Sequence, residues 1–362
     1  MRQLSISEHE AGQRLDRLLA KVFSKAGKGF LYKMLRKKNI VLNGKRAEGN
    51  EALKAGDVIT VYFSDETYEK LSDSMQSPVC VEANNTGSRE TSGCESKRSS
   101  TGAGNKANGL TAKKRNRKLS PKVVYEDKHV LILHKPAGML SQKAEETDDS
   151  LVDYVREYLL ETGCLSEERL KTFRPGICNR LDRNTEGLVI AGKTILGLQT
   201  MSELLRSRNL DKYYLCVVRG NVERPMHLTG YLVKNEAKNQ VTIGKGPEGE
   251  PIETEYRPIA VTKTGTLLEV KLITGKSHQI RAHLASVGHP IAGDMKYGDT
   301  EYNCMMKERF GVRHQMLVAY RMVFPQLPEE FAGISHKEIK TVLPAAFEHF
   351  CRTYRIVELL EG

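Results

Sequence analysis

In residues 14–22 the apolar side chains Leu15, Leu18, Leu19 and Val22 recur at i, i+3, i+4 and i+7, which is one face of a helix. A turn containing Gly27 and Gly29 follows. Residues 30–38 then repeat the spacing, with Leu31, Met34 and Leu35 on one side and Lys33, Arg36 and Lys37 on the other. After that the period changes. Ile40-Val41-Leu42 runs into Asn43-Gly44, the favoured pair for a two-residue hairpin turn, and Gly56-Asp57 punctuates before a second strand at 58–63.

Residues 64–120 lose all periodicity and fill with Ser, Thr, Gly, Asn, Lys and Glu. The stretch 84–109 has almost no large apolar residue and cannot bury enough surface to offset the entropy of ordering it. A flexible linker is expected there, ending in the basic run Lys113-Lys114-Arg115-Asn116-Arg117-Lys118. Such a run either tracks phosphates or merely solvates the chain.

Periodicity returns at Val123. Val123-Val124-Tyr125, Val130-Leu131-Ile132-Leu133 and Gly187-Leu188-Val189-Ile190-Ala191 are short apolar runs of strand type, whereas 151–160 and 196–205 carry helical spacing. Strands are expected at 213–218 and 266–273, and a hairpin at 230–244 turning through 235–239. With no regular strand–helix alternation and no Gly-x-Gly-x-x-Gly loop, the class is α+β rather than a dinucleotide-binding fold.

Charge sharpens this outline. The 362 residues carry a net charge of +11, with 39% hydrophobic and 28% charged residues, as in a folded globular chain. Residues 1–63 contribute +7, residues 64–120 contribute +3, and residues 121–362 only +1. The basicity belongs to the front, which implies a nucleic-acid-binding module joined to something else. No apolar stretch suits a secretory signal or a membrane-spanning helix. The seven cysteines are scattered and never spaced Cys-x-x-Cys, so neither a disulfide framework nor a zinc ribbon is expected, and a reducing cytoplasm is the default location.

Two segments could carry chemistry. The first is Asn179-Arg180-Leu181-Asp182-Arg183-Asn184-Thr185-Glu186-Gly187-Leu188, in which an acidic residue occupies a polar turn directly before a buried strand. Taken alone, such an Asp is more often a turn-former or ion pair than a catalyst. The second is Thr274-Gly275-Lys276-Ser277-His278-Gln279-Ile280-Arg281-Ala282-His283-Leu284, a tight turn entering a helix, with Ser277 as the expected N-cap. Ile280, Leu284 and Val287 would form its apolar face, leaving His278 and Arg281 adjacent on another; Gly288 and Pro290 end it. A metal site built from His278, His283 and His289 is disfavoured, because their spacing does not share one helical face.

The front module, through Arg14-Leu15-Asp16, Val41-Leu42-Asn43-Gly44 and Gly56-Asp57-Val58-Ile59, resembles the S4 RNA-binding domain. That resemblance implies RNA contact through Lys33, Arg36 and Lys37, against the alternative of a merely solvated face. The rest of the chain resembles the RluA-type pseudouridine synthases, which isomerise uridine to pseudouridine in RNA. The matching pieces are Lys135-Pro136-Ala137-Gly138, Arg180 to Leu188, Lys212-Tyr213-Tyr214 through Val218 and Gly220, and Thr274 through Gly298. The resemblance implies an S4-like domain at 1–63, a linker at 64–120 and a catalytic domain at 121–362 with a mixed, mainly antiparallel central sheet and flanking helices.

It also implies roles. Asp182 matches the essential aspartate, Arg281 its basic partner, Tyr214 the tyrosine that stacks on the target uracil, and Arg180 an arginine that holds the RNA open. Arg183, Lys276 and His278 are further expected RNA contacts. Asp16, in a similar Arg-Leu-Asp-Arg string, belongs to the front module. The reaction needs no redox partner or group donor, so no cofactor and no metal is expected. Structured RNA is the expected partner, ribosomal RNA of the large subunit before transfer RNA, acted on by a monomer with no obligate protein partner. A non-catalytic ribosome-assembly factor is the competing reading. The chain departs from the family pattern at Asn179, where many members have His, and at Glu186, where many have Ser or Thr; Glu186 would add negative charge beside the RNA path.

Overall fold

The computed structural model describes residues 1–72, 119–235, 240–244, 246 and 248–356. The expected linker therefore lies mostly outside the described residues, as do its basic run 113–118 and the turn 236–239. The front unit runs β1 (Arg2–Ser5), α1 (Leu15–Val22), α2 (Lys28–Arg36), β2 (Ile40–Leu42), β3 (Lys45–Arg46), β4 (Val58–Val61) and α3 (Asp65–Leu71). Its strands are ordered β1-β4-β2-β3. Asn43 and Gly44 take φ of 49° and 73°, the two positive values that a tight hairpin between β2 and β3 needs. Leu15, Leu18 and Leu19 pack with Leu31 and Leu35 over Ile40, Ile59 and Val61. That core fixes the face of α2, so Lys33, Arg36 and Lys37 stand exposed.

This unit does not stop at residue 63. Ser64 caps α3 by accepting the Thr67 N–H at 3.3 Å, and Tyr68 is buried edge-on against Phe23, 5.3 Å between ring centroids. One aromatic anchor among Asp, Glu, Thr and Lys leaves no periodic signal, so residues 64–72 read as linker when they are structure.

The second unit begins with β5 (Lys122–Glu126), β6 (Val130–Lys135), α4 (Leu151–Glu161), β7 (Gly176–Ile177), β8 (Glu186–Gly192), α5 (Ile195–Arg206) and β9 (Asp211–Val218). The hairpin β10 (Met226–Asn235) and β11 (Gln240–Gly244) follows, then β12 (Glu250–Thr262), β13 (Gly265–Leu272) and α6 (Gln279–Ser286). The chain closes with α7 (Thr300–Phe310), β14 (Leu317–Val323), β15 (Glu338–Lys340) and α8 (Ala345–Tyr354). One sheet runs β11-β10-β12-β13-β9-β14-β8-β6-β5, with β15 added to β14 and β7 to β8. The fold is α+β, and among the described residues every strand pair of this sheet is antiparallel except β14 with β8.

Both faces of this sheet are covered, which is why β6, β8 and β9 are continuous apolar runs. Leu131, Leu133, Val189, Tyr214 and Cys216 point toward α4 and α6, while their neighbours Val130, Ile132, Leu188, Leu215 and Val217 pack toward α5, α7 and α8. The parallel seam is short and tight. At Gly187 (φ +116°) a Cβ would lie 2.2 Å from the Ala319 carbonyl oxygen, so only glycine lets β8 approach β14. The front unit rests on the second: His9 O accepts the Ile195 N–H at 3.2 Å and Lys21 Nζ donates to Thr172 O at 2.6 Å. Among the described residues no helix is long and apolar enough to cross a membrane.

Candidate active site

The loop before β8 opens where β8, β14 and β9 meet in the middle of the sheet, and Asp182 stands in it. The loop is fastened on both sides of that residue. Asn179 Oδ1 accepts from Ile190 N at 2.8 Å and its Nδ2 donates to Leu188 O at 3.3 Å, closing the base of the loop onto β8. Ser141 Oγ donates to Leu181 O at 2.7 Å and accepts from Leu181 N at 3.0 Å. The buried ammonium of Lys135 donates to the carbonyls of Pro136, Met139 and Arg183 at 2.9–3.1 Å. Burial pushes Lys135 down to about 8, against the pull of Glu186 and Asp182. Asp182 is thus held by backbone geometry before any ligand arrives.

The turn into α6 supplies its partner. Ser277 does not cap this helix: His278 does, in the left-handed region (φ 56°) and without a side-chain bond. Gln279 organises the turn instead, accepting from Thr274 Oγ1 at 2.8 Å and Lys276 N at 3.1 Å while donating to Glu253 O and Thr254 Oγ1 at 2.9 Å. Because α6 ends at Ser286, Val287 falls outside the apolar face assigned to it and is exposed.

Arg281, on the first turn of α6, is 6% exposed and bridges two carboxylates. Its Nη1 donates to Asp182 Oδ2 at 2.8 Å, and its Nε and Nη2 donate to Asp294 at 2.6 and 2.8 Å. Burial opposes the charge on this guanidinium, but its hydrogen bonds to Asp294 outweigh burial and raise it above the ordinary arginine value. Asp294, 1% exposed, also accepts the N–H groups of Lys296 and Tyr297 at 2.8 and 3.1 Å. Burial raises Asp294, yet the bonds from Arg281 prevail and hold it below the usual carboxylate value.

His278 Nε2 lies 3.9 Å from Asp182 Oδ2, and its Nδ1 is 3.0 Å from the Tyr297 hydroxyl, which accepts the Val241 N–H at 2.8 Å. Tyr214 is nearly buried, and burial, then the charge of Asp182, raises its phenol. The phenol is therefore neutral.

These groups line a groove of about 1000 Å³. It collects seven of the residues expected from sequence: Asp182, Tyr214, Arg281, Arg180, Arg183, Lys276 and His278. Lys33, Arg36 and Lys37 lie on the front unit and do not line it. Eight Lys and Arg residues border the groove; Lys143, Arg206, Lys276 and Arg281 are paired with carboxylates, while Arg180, Arg183, Arg208 and Lys212 have no ion-pair partner among the described residues, so the field favours an anion. Glu186 is not beside this path: it sits 3.5 Å from His134 Nε2 and is absent from the lining. His283 is engaged by Thr254 Oγ1 and His289 by Arg219 O. Sequence reasoning gave no role to Asp294 and Tyr297, which it placed only in an irregular Gly-rich loop, nor to Ser141, which carried no signal.

Residues 129–286 match the family model described as RNA pseudouridylate synthase. Ribosomal large subunit pseudouridine synthase C of Vibrio cholerae is 28% identical over 322 residues, covering 89% of this chain and 88% of its own. The protein of that name from Escherichia coli is 28% identical over 310 residues, covering 84% and 82%. The solved structure of human RNA pseudouridylate synthase domain containing 4 superposes with a TM-score of 0.50 at 20% identity over 64% of this chain and 92% of its own, a likeness of fold.

Proposed function

We propose that the chain is an RNA pseudouridylate synthase, as the family model matched by residues 129–286 and the relatives of 28% identity support, and that it isomerises uridine to pseudouridine in large-subunit ribosomal RNA with Asp182 as the acting carboxylate. The observation that carries the site assignment is the Asp182–Arg281–Asp294 bridge at the floor of a cationic groove, with the Tyr214 ring beside it. A stacked uridine cannot reach such a floor, so the nucleotide must leave its stack at a cost of a few kcal/mol. Stacking on Tyr214 returns about 1–3 kcal/mol.

Asp182 then acts at the nucleoside as nucleophile or base. The C1′–N1 bond breaks, uracil turns, and a C1′–C5 bond forms. The C5 proton leaves to solvent and N1 gains one, so electrons and atoms balance without a second substrate. Arg281 aims and charges the carboxylate, and Asp294 keeps Arg281 from following the ligand. Arg180, Arg183, Lys276 and His278 hold the strand around the extruded nucleotide, and the basic face of α2 adds a second, more distant contact.

The release of tritium from 5-tritiated uridine in a large-subunit ribosomal RNA transcript tests the reading. Wild type should release label and Asp182→Asn should not. Equal release from both would remove Asp182 from the chemistry, and no release by wild type on ribosomal or transfer RNA would favour a binding factor.

A further inference from the structure

Ion pairs are distributed unevenly over this sheet. A second cavity, of about 650 Å³, surrounds Tyr213, which leaves β9 on the face opposite Tyr214. Charges there are matched. Arg257 and Arg321 reach Glu269 at 2.7 and 2.8 Å, Lys271 reaches Asp211 at 2.9 Å, and His227 reaches Glu253 at 2.8 Å. The groove of the active site is different. Lys212, two residues before Tyr214 on β9, lines it without any carboxylate or hydrogen-bond partner among the described residues, and Arg208 beside it has none either.

A half-buried ammonium with no counter-ion is costly. Burial, and then the positive field of Arg208, pushes Lys212 below the ordinary lysine value. Its neighbour Asp211 offsets this only in part, because it is ion-paired with Lys271 at 2.9 Å. Across the gap lies Gly275. This glycine does not have the positive φ that would demand glycine, and a Cβ there would meet only Lys212 Nζ, at 3.7 Å. The missing side chain keeps open the space in front of the ammonium.

We propose that Lys212, facing the bare backbone of Gly275, and the neighbouring Arg208 form a seat for one phosphodiester of the RNA, adjacent to the nucleotide placed on Tyr214. The inference rests on the reading of the groove as an RNA site and adds a fixed anchor to it. Two residues along a strand span about 6.8 Å, the scale of one nucleotide, so a phosphate on Lys212 sets the position of the next base over Tyr214. The seat reads no base; it sets register.

The test compares full-length wild type, Lys212→Gln, Lys212→Arg, Gly275→Ala and Asp182→Asn on the tritiated large-subunit transcript. Binding is read against salt, turnover by tritium release, and stability by thermal unfolding without RNA. Lys212→Gln should weaken binding about tenfold, the worth of one charge-assisted contact, and lower the salt slope by about 0.7. Its melting temperature should stay level or rise, because an uncompensated cation has gone. Lys212→Arg should restore most of the affinity, and Gly275→Ala should weaken binding with no loss of stability. Unchanged affinity and slope in Lys212→Gln, or a lowered melting temperature with wild-type binding, would overturn the seat. Asp182→Asn should bind with the wild-type slope. Absence of turnover in wild type would sink the isomerase reading, while the slope comparison would still decide the seat.

Discussion

Replacing Asp294 by Asn separates the aiming of the site from its chemistry. The side chain is buried, takes two bonds from Arg281 and two from backbone N–H groups, and touches no part of the open groove. Asn offers one carbonyl oxygen for those four donors and presents an NH₂ to the rest. Breaking a buried pair by removing one partner costs about 3–5 kcal/mol. At roughly 2–4 °C per kcal/mol for a domain of this size, the melting temperature should fall by about 6–20 °C. Arg281, freed from its anchor, should turn both arms toward Asp182, and a misplacement near 1 Å lowers turnover about 10²-fold.

Asp182→Asn is the control. That carboxylate is a quarter exposed and holds one contact from Arg281, so stability should move by less than about 1 kcal/mol while turnover vanishes. Acid titration adds a signature. Asp294 is held below its unfolded value of about 3.9, so its contribution is full above that pH and is lost as pH falls further. The stability gap between wild type and Asp294→Asn should therefore narrow below about pH 4. An Asp294→Asn protein that melts with wild type and turns over within threefold of it would refute the anchoring of Arg281.

Gly187→Ala forces a Cβ into the Ala319 backbone at a positive φ, and should cost more than about 3 kcal/mol by denaturant midpoint; an unmoved midpoint would mean the β8–β14 seam is loose. Exchanging Lys33, Arg36 and Lys37 together for Gln should weaken binding of the ribosomal transcript and lower its salt slope by up to about 2, leaving tritium release at saturating RNA in place. An unchanged slope would make that face solvent-facing only. Deletion of residues 1–63 is the poorer experiment, because it strands α3 without the core that Tyr68 and Leu71 complete.

What could be read from sequence was local. Elements with one strong period, such as α1 and α5, and runs buried on both faces, such as β6 and β8, announce themselves. The long strand β12 does not. Its Glu250, Pro251, Glu253, Glu255 and Pro258 argue against a strand, yet Ile252, Thr254 and Tyr256 alternate inward and Pro258 falls at a register shift. The cap of α6 misled for a related reason. Ser277 satisfies the local rule, but Gln279 already meets the turn's needs through Thr254 and Glu253, residues on a strand that sequence did not reveal. At the site, Asp182 stood in a segment specific enough to be noticed, and the resemblance supplied the role proposed for it. Asp294 had no such cue, because its partner Arg281 is reached only by folding a loop back under α6.

The charge of the second unit bears on how a nearly neutral domain could hold the proposed RNA. Residues 121–362 sum to +1, which on its own argues against strong attraction to RNA. The fold sorts that charge. Glu269 and Asp211, with Glu253 and Glu255 beside His227, are placed on the cations of the Tyr213 cavity, whereas four of the eight Lys and Arg residues lining the groove, Arg180, Arg183, Arg208 and Lys212, have no carboxylate partner among the described residues. Arg180, Arg208 and Lys212 have no ion-pair partner among the described residues; the two arginines stay exposed, and only the partly buried Lys212 has a desolvation that no carboxylate of its own repays. Net charge averages over both faces, but a ligand in the groove meets only one. If the groove is the proposed RNA site, the basic front unit should not account for all the salt sensitivity of binding, because Arg180, Arg183, Arg208 and Lys212 would add a share.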